Sequence, residues 1–138
     1  MLREYSAGAV VFKDGKYLIL KYSVGHWDLP KGHIKEGETE LEDAIREIKE
    51  ETDLVVDFID GFKEYICYIY KKGEEMSEKS VVFFLAESKS DEITLSHEHL
   101  DYLWLNFEDA YNRTTFEGAR SVLKKAEEFR KDLSEEEV

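Results

Sequence analysis

The chain has 138 residues, 42% of them hydrophobic, enough to fill one core of ordinary domain size and little more. A formal charge of −13 argues against a nucleic-acid groove and against docking on an anionic membrane, since both need surplus cations, and a polyanionic substrate would have to be met by a metal or a local basic cluster. The single cysteine, Cys67, excludes an internal disulfide, fits a reducing compartment and reads as a small buried residue in a strand. The start MLREYSAGAVVF lacks the basic segment and long apolar core of a secretory signal, and no stretch approaches about eighteen uninterrupted apolar residues. A cytoplasmic protein is expected.

Asp14-Gly15, set between SAGAVVF and KYLILKY, predicts a hairpin. The following SVGHWDLPKGHIKEGE holds the only proline and Gly25, Gly32 and Gly37, and is long for a mere connector, so it reads as a functional loop. Leu41, Ala44, Ile45 and Ile48 recur at helical spacing and predict a helix from about Thr39 to Thr52, buried along that stripe. Segments 54–59, 64–70 and 79–87 are rich in β-branched and aromatic residues and read as strands, the last two separated by a polar turn over 71–78. A short strand over 101–107 leads into a helical turn, FEDAYNR. A final helix over 115–130 carries a stripe of Phe116, Ala119, Val122, Leu123, Ala126 and Phe129. One domain is expected over 1–131, with 132–138 an acidic frayed tail. The element order predicts the α/β class, a central mixed sheet packed between helices as an α/β/α sandwich.

The segment REIKEETDL packs Glu47, Glu50 and Glu51 into five positions on one flank of the predicted helix. Like charges at that spacing weaken a helix by roughly 0.2–0.5 kcal/mol per pair, so local stability does not select them. A glutamate-rich helix is by itself more often a solvated face. Three hard oxygen donors converging on one point do, however, suit Mg²⁺ or Mn²⁺. The preceding loop strengthens that reading, because Gly32 and Gly37 let the backbone approach a ligand, and Lys31 and His33 beside them can donate to phosphate. A metal-bound di- or polyphosphate fits both halves.

The run GHIKEGETELEDAIREIKEETDL resembles the Nudix box: Gly32, Glu38, Arg46-Glu47, Ile48 and Glu50-Glu51 stand at its spacing over twenty-three residues. One position departs, since Asp53 stands where the box has a glycine at the helix end; Asp is among the few other residues that tolerate the left-handed conformation. Within that family the loop WDLPKGHIKEGE, the strand KSVVFFLAE and the segment SHEHLDYLWL resemble the asymmetrical diadenosine tetraphosphate (Ap4A) hydrolases. The resemblance implies Glu47, Glu50 and Glu51 as ligands of Mg²⁺, with Mn²⁺ as a substitute and the Gly32 carbonyl beside them. It implies Arg46 as a brace for a helix glutamate, and Glu98 as a carboxylate that joins the metal cluster or takes a proton from water. Lys31, His33 and Lys79 are then phosphate contacts. Phe83 falls where related hydrolases often stack a tyrosine on the base, and Phe116 where a second ring can close on adenine. His26, His97 and His99 read instead as hydrogen-bonded structural residues, and Trp27 and Trp104 as core.

The implied activity is metal-dependent cleavage of Ap4A to ATP and AMP by water attack on a phosphate, with a small-molecule nucleotide as substrate. Two alternatives stand beside it. One is hydrolysis of another nucleoside polyphosphate or a 5′-triphosphorylated RNA end, and the other is a non-catalytic nucleotide-binding module. Oligomeric state is not legible in the sequence.

Overall fold

The turn at Asp14-Gly15 forms as its residues require. Asp14 takes a φ of 55° and joins β1 (Leu2–Lys13) to β2 (Lys16–Tyr22), as expected. The computed structural model describes residues 1–136. Its sheet runs in the order β3 (Trp27–Asp28), β2, β1, β6 (Glu75–Ser88), β5 (Val56–Lys72), with β4 (Lys31–His33) pairing β1 and β7 (His99–Leu105) pairing β2. β1 and β6 are parallel and every other pair is antiparallel, so the sheet is mixed.

Successive side chains of a strand point to opposite faces, and β1 uses both. Val10 and Phe12 pack with Val81, Phe83 and Leu85 against Ala110 of α2 (Phe107–Arg113) and Ala119, Val122, Leu123 and Ala126 of α3 (Glu117–Glu136). Ala7, Ala9 and Val11 face the other way, where Ala44 and Ile48 of α1 (Glu40–Thr52) cover the sheet. The result is the expected α/β/α sandwich. Trp27 and Trp104 are partly buried, one against each core.

Four expectations change. The strands read at 54–59 and 64–70 are one continuous β5, in which Gly61, at φ 97°, lies within a shift of register between Phe58 and Lys63. A bulge of this kind absorbs extra residues without ending the strand. The polar turn at 71–78 shrinks to Gly73-Glu74, with the flanking polar residues paired in a hairpin. Cys67 is exposed, because β5 is the edge strand and its side chain turns away from the core. α3 continues to Glu136, so residues 132–136 are helical, and the rest of the expected tail, 137–138, lies outside the described residues.

The buried face of α1 is also displaced. Leu41 and Ile45 are 41% and 49% exposed, whereas Asp43, Ala44, Ile48, Glu51 and Thr52 are buried. Small Ala44 seats the helix against Ala7 and Val82, and the Ala7 N–H donates to Asp43 Oδ2 at 3.1 Å. That bond gives a buried carboxylate a reason to face the sheet.

Candidate active site

Both ends of α1 are fastened. At the start Thr39 and Glu42 form a reciprocal capping box, with bonds of 3.1 and 3.0 Å. At the end Asp53 adopts the left-handed conformation at φ 61°, its N–H donating to the Lys49 carbonyl, so aspartate does here what glycine does in the family box. The last helical carbonyls would otherwise lack partners. Those of Glu51 and Thr52 accept the N–H groups of Ser96 and Thr94, at 3.2 and 3.1 Å. The loop that carries Glu98 is thereby docked on the end of the helix that carries Glu47, Glu50 and Glu51.

Arg46 organises the acidic side. Its guanidinium donates to Glu38 (2.7 Å), Asp43 (2.6 Å), Glu47 (2.9 Å), Glu50 (3.0 Å) and the His33 carbonyl (3.1 Å). Hydrogen bonds from Arg46, and then from the Lys35 N–H, hold the Glu38 carboxyl down to about 2. Asp43 goes the other way, pushed up to about 7 by burial and by the Glu47 charge against the pull of Arg46. Glu51 is only 3% exposed, and burial, then the neighbouring Glu47 and Glu98 carboxylates, push it up to about 10. Glu50 is half exposed and Glu98 exposed.

Gly32 lies in β4 opposite Ala7. A Cβ placed on it would stand 2.0 Å from the Glu47 carboxyl carbon, so only glycine lets this strand and that carboxylate meet. Gly8 does the same service one residue away, where a Cβ would lie 2.1 Å from the Pro30 carbonyl oxygen.

The basic side is built on the same short strand. Lys31 Nζ pairs with buried Asp28 at 2.9 Å and lies over the Tyr68 ring at 5.8 Å. Burial opposes its charge, but Asp28 and Tyr68 outweigh burial and hold Lys31 above the usual lysine value. Lys79 pairs in register with Tyr68, and burial followed by the charge of Lys31 lowers it. His33 Nε2 is 3.8 Å from Glu4 Oε2 and is lowered by burial and then by Lys79. Glu4 itself is anchored by the hydroxyls of Tyr70 and Ser77 and by Lys72.

The two aromatic candidates part company. Phe83 is fully buried in the core beneath α3 and offers no face to a ligand, which corrects its assignment to base stacking: its side of β6 is the side that packs with Val81 and Leu85. Phe116 is 52% exposed and lies 5.2 Å from the His26 ring, which stacks on Tyr22. Tyr68, 38% exposed beside Lys31, is a ring the sequence reading passed over. Asp28, Asp43, Glu4 and Tyr22 were missed as well; each is a pairing or hydrogen-bonding residue whose partner is remote in sequence or hidden by the fold. The i, i+3 spacings of Asp28 with Lys31 and of Asp43 with Arg46 were the signals available.

The structure therefore brings Glu47, Glu51, Arg46 and Gly32 together beside Lys31, His33 and Lys79. Among the described residues no three His, Cys, Asp or Glu side chains converge as a ready metal cage, Glu47 and Glu50 being drawn to Arg46. No helix of the described residues is long and apolar enough to cross a membrane.

This fold is shared with known proteins. The chain belongs to the Nudix family, the NUDIX domain matching residues 2–126. It is 36% identical over 121 residues, 83% of this chain and 80% of the relative, to the asymmetrical bis(5′-nucleosyl)-tetraphosphatase of Mus musculus. Identity to the Caenorhabditis elegans protein of that name is 35% over 134 residues, covering 90% and 94% of the two chains. A solved C. elegans Ap4A hydrolase binary complex superposes with a TM-score of 0.83 at 31% identity, covering 94% of this chain and 98% of that one. The RNA pyrophosphohydrolase of Nitratiruptor is 34% identical over 114 residues, 75% of this chain and 72% of that protein.

Proposed function

We propose that this protein hydrolyses dinucleoside tetraphosphates asymmetrically, cutting Ap4A to ATP and AMP. The observation that carries the reading is the juxtaposition of two opposed clusters: the carboxylates of α1, where burial and then the Glu47 and Glu98 charges push Glu51 up to about 10, and a basic group of Lys31 and His33 on β4 with Lys79 on β6 beside them. Carboxylates crowded round a buried one fit a cation. Gly32 leaves room against Glu47, and the donors are hard oxygens. Glu47, Glu50 and Glu51, with Glu98 and the Gly32 carbonyl, would hold Mg²⁺, or Mn²⁺ in its place. When bound, such an ion offsets phosphate charge and acidifies a water.

The chain's own groups supply the rest. Arg46 orients Glu47 and Glu50, the exposed Glu98 either joins the metal ligands or takes a proton from water, and Lys31, His33 and Lys79 bind the phosphate chain. Phe116 offers an exposed face to a nucleobase, and Tyr68 offers a second ring at the basic side. Similarity to the two tetraphosphatases over most of their length supports this substrate class.

Similarity to an RNA pyrophosphohydrolase favours a second substrate, triphosphorylated RNA; the net charge of −13 weighs against it. Product analysis of Ap4A hydrolysis with Mg²⁺, set against nucleoside triphosphates, ADP-ribose, NADH and triphosphorylated RNA, tests the reading. ATP and AMP in equal amounts, at a kcat/KM above that for the others, is the expected result. Symmetric products or preference for RNA would overturn it.

A further inference from the structure

Among the described residues three side-chain polar atoms are buried without a hydrogen-bond partner: Ser6 Oγ, Glu51 Oε2 and His99 Nε2. Two of the three face one another. Glu51 Oε2 and His99 Nε2 are 3.3 Å apart, with both side chains almost wholly excluded from solvent. Buried polar atoms ordinarily find partners, and two orphans within reach of each other are satisfied together by a single hydrogen between them.

The rest of the ring determines which atom carries that hydrogen. His99 Nδ1 lies 3.0 Å from Ser96 Oγ. Ser96 is itself held on α1, its N–H donating to the Glu51 carbonyl, and it accepts the His99 N–H on its own carbonyl. One short turn thus ties His99 to the backbone of the residue whose side chain it meets. Tyr22 closes the other side, its ring edge-on to His99 at 4.5 Å and its hydroxyl donating to the Leu29 carbonyl at 2.9 Å. The imidazole has little freedom to turn. If the Ser96 hydroxyl donates to Nδ1, that nitrogen is an acceptor, and in a neutral ring the proton must then sit on Nε2, aimed at Glu51.

We infer that His99 is a positioning residue for Glu51: Ser96 fixes the Nε2–H tautomer, and Nε2–H holds Glu51 Oε2 so that the carboxyl group is presented in one orientation. Its effect on turnover rests on the function proposed above; the hydrogen-bond relay does not. Partners of this kind behind a ligand typically change metal affinity or activity by roughly 10–100-fold when removed.

The first test needs no metal. Long-range ¹H–¹⁵N spectra of the metal-free protein, labelled at histidine nitrogen, should show His99 with Nε2 protonated and Nδ1 bare, a preference that Ser96→Ala erodes. A dominant Nδ1–H form, or a doubly protonated ring, overturns the relay. The second test compares His99→Leu, which fills the space without a donor, with His99→Gln, whose amide can reach Glu51. Mn²⁺ affinity, read by electron paramagnetic resonance, should fall roughly 10–100-fold in the leucine variant and recover substantially in the glutamine one. With Ap4A as substrate, kcat should follow the same order while KM moves little. Equal losses in both variants, or unchanged Mn²⁺ binding in the leucine variant, would reduce His99 to a space-filler. Should the spectra and Mn²⁺ binding behave as expected while Ap4A is not cleaved, the positioning role stands and the substrate reading fails.

Discussion

Gly32 and Glu47 stand so close that a methyl group on the glycine would come within 2.0 Å of the glutamate's carboxyl carbon. The obstructing atoms are the far end of a flexible side chain, so the fold can yield where the site cannot. Gly32→Ala should leave the melting temperature within a few degrees of the parent while swinging Glu47 from its place under Arg46. A displacement of about 1 Å at a reacting centre commonly lowers turnover about 100-fold, and kcat should fall by that order. Parallel measurement of melting and kcat checks this, and near-parental kcat would show that Glu47 is not needed where it lies.

Glu51→Gln separates stability from catalysis in the opposite sense. The folded protein raises the Glu51 pKa from 4.5 to about 10, so the ionised form is disfavoured by folding at every pH above the unfolded value. An uncharged amide escapes that penalty. In chelator the variant should melt higher than the parent at pH 8, whereas its turnover with Mg²⁺ should drop on the order of 10²–10⁴-fold, as for loss of a metal ligand or base. A variant that melts lower and keeps its kcat would contradict both halves.

Glu4 supplies a pH dependence of the ordinary sign. Hydrogen bonds from Tyr70 and Ser77, with help from Lys72, lower it from 4.5 to about 2. Stabilisation from a lowered carboxylate is complete above the unfolded value and is lost as pH falls from 4.5 towards 2. Glu4→Gln should therefore flatten the acid limb of a urea-denaturation stability profile in that window. An unchanged slope would place the anchoring of β1 elsewhere.

Phe116 and Phe83 predict opposite readouts. If the exposed Phe116 ring stacks on a base as proposed, Phe116→Leu should raise KM for Ap4A with little change in melting temperature, roughly 1–3 kcal/mol of stacking being at stake. Phe83→Ala should instead destabilise by about 3–5 kcal/mol, as a wholly buried phenylalanine does. A thermal shift for both, with KM for Ap4A alongside, distinguishes the roles.

Sequence spacing carried much of this. The box spacing located Glu47, Glu50, Glu51, Arg46 and Gly32, and the Asp53 departure was read as a left-handed helix end, which it is. What escaped was sidedness. Leu41 and Ile45 fit the apolar period but are exposed, because the Ala7 N–H gives Asp43 a partner and turns the polar flank of α1 towards the sheet. Phe83 was misjudged for a related reason: alternation along a strand tells which residues share a face, not which face a helix will cover. Glu4, paired with Tyr70 and Ser77, and His99, facing Glu51, depend on partners that only the folded chain brings near.

The two bonds from Thr94 and Ser96 to the end of α1 have a consequence for how this architecture tolerates change in chain length. Residues 89 to 92, just upstream, are exposed, and added chain there can loop outward without moving the anchors. Between Ser96 and Glu98 there is no such slack. The span from helix end to the exposed carboxylate is thus gauged by two residues of chain, and insertions before the anchor should be silent where a single insertion after it disables the site.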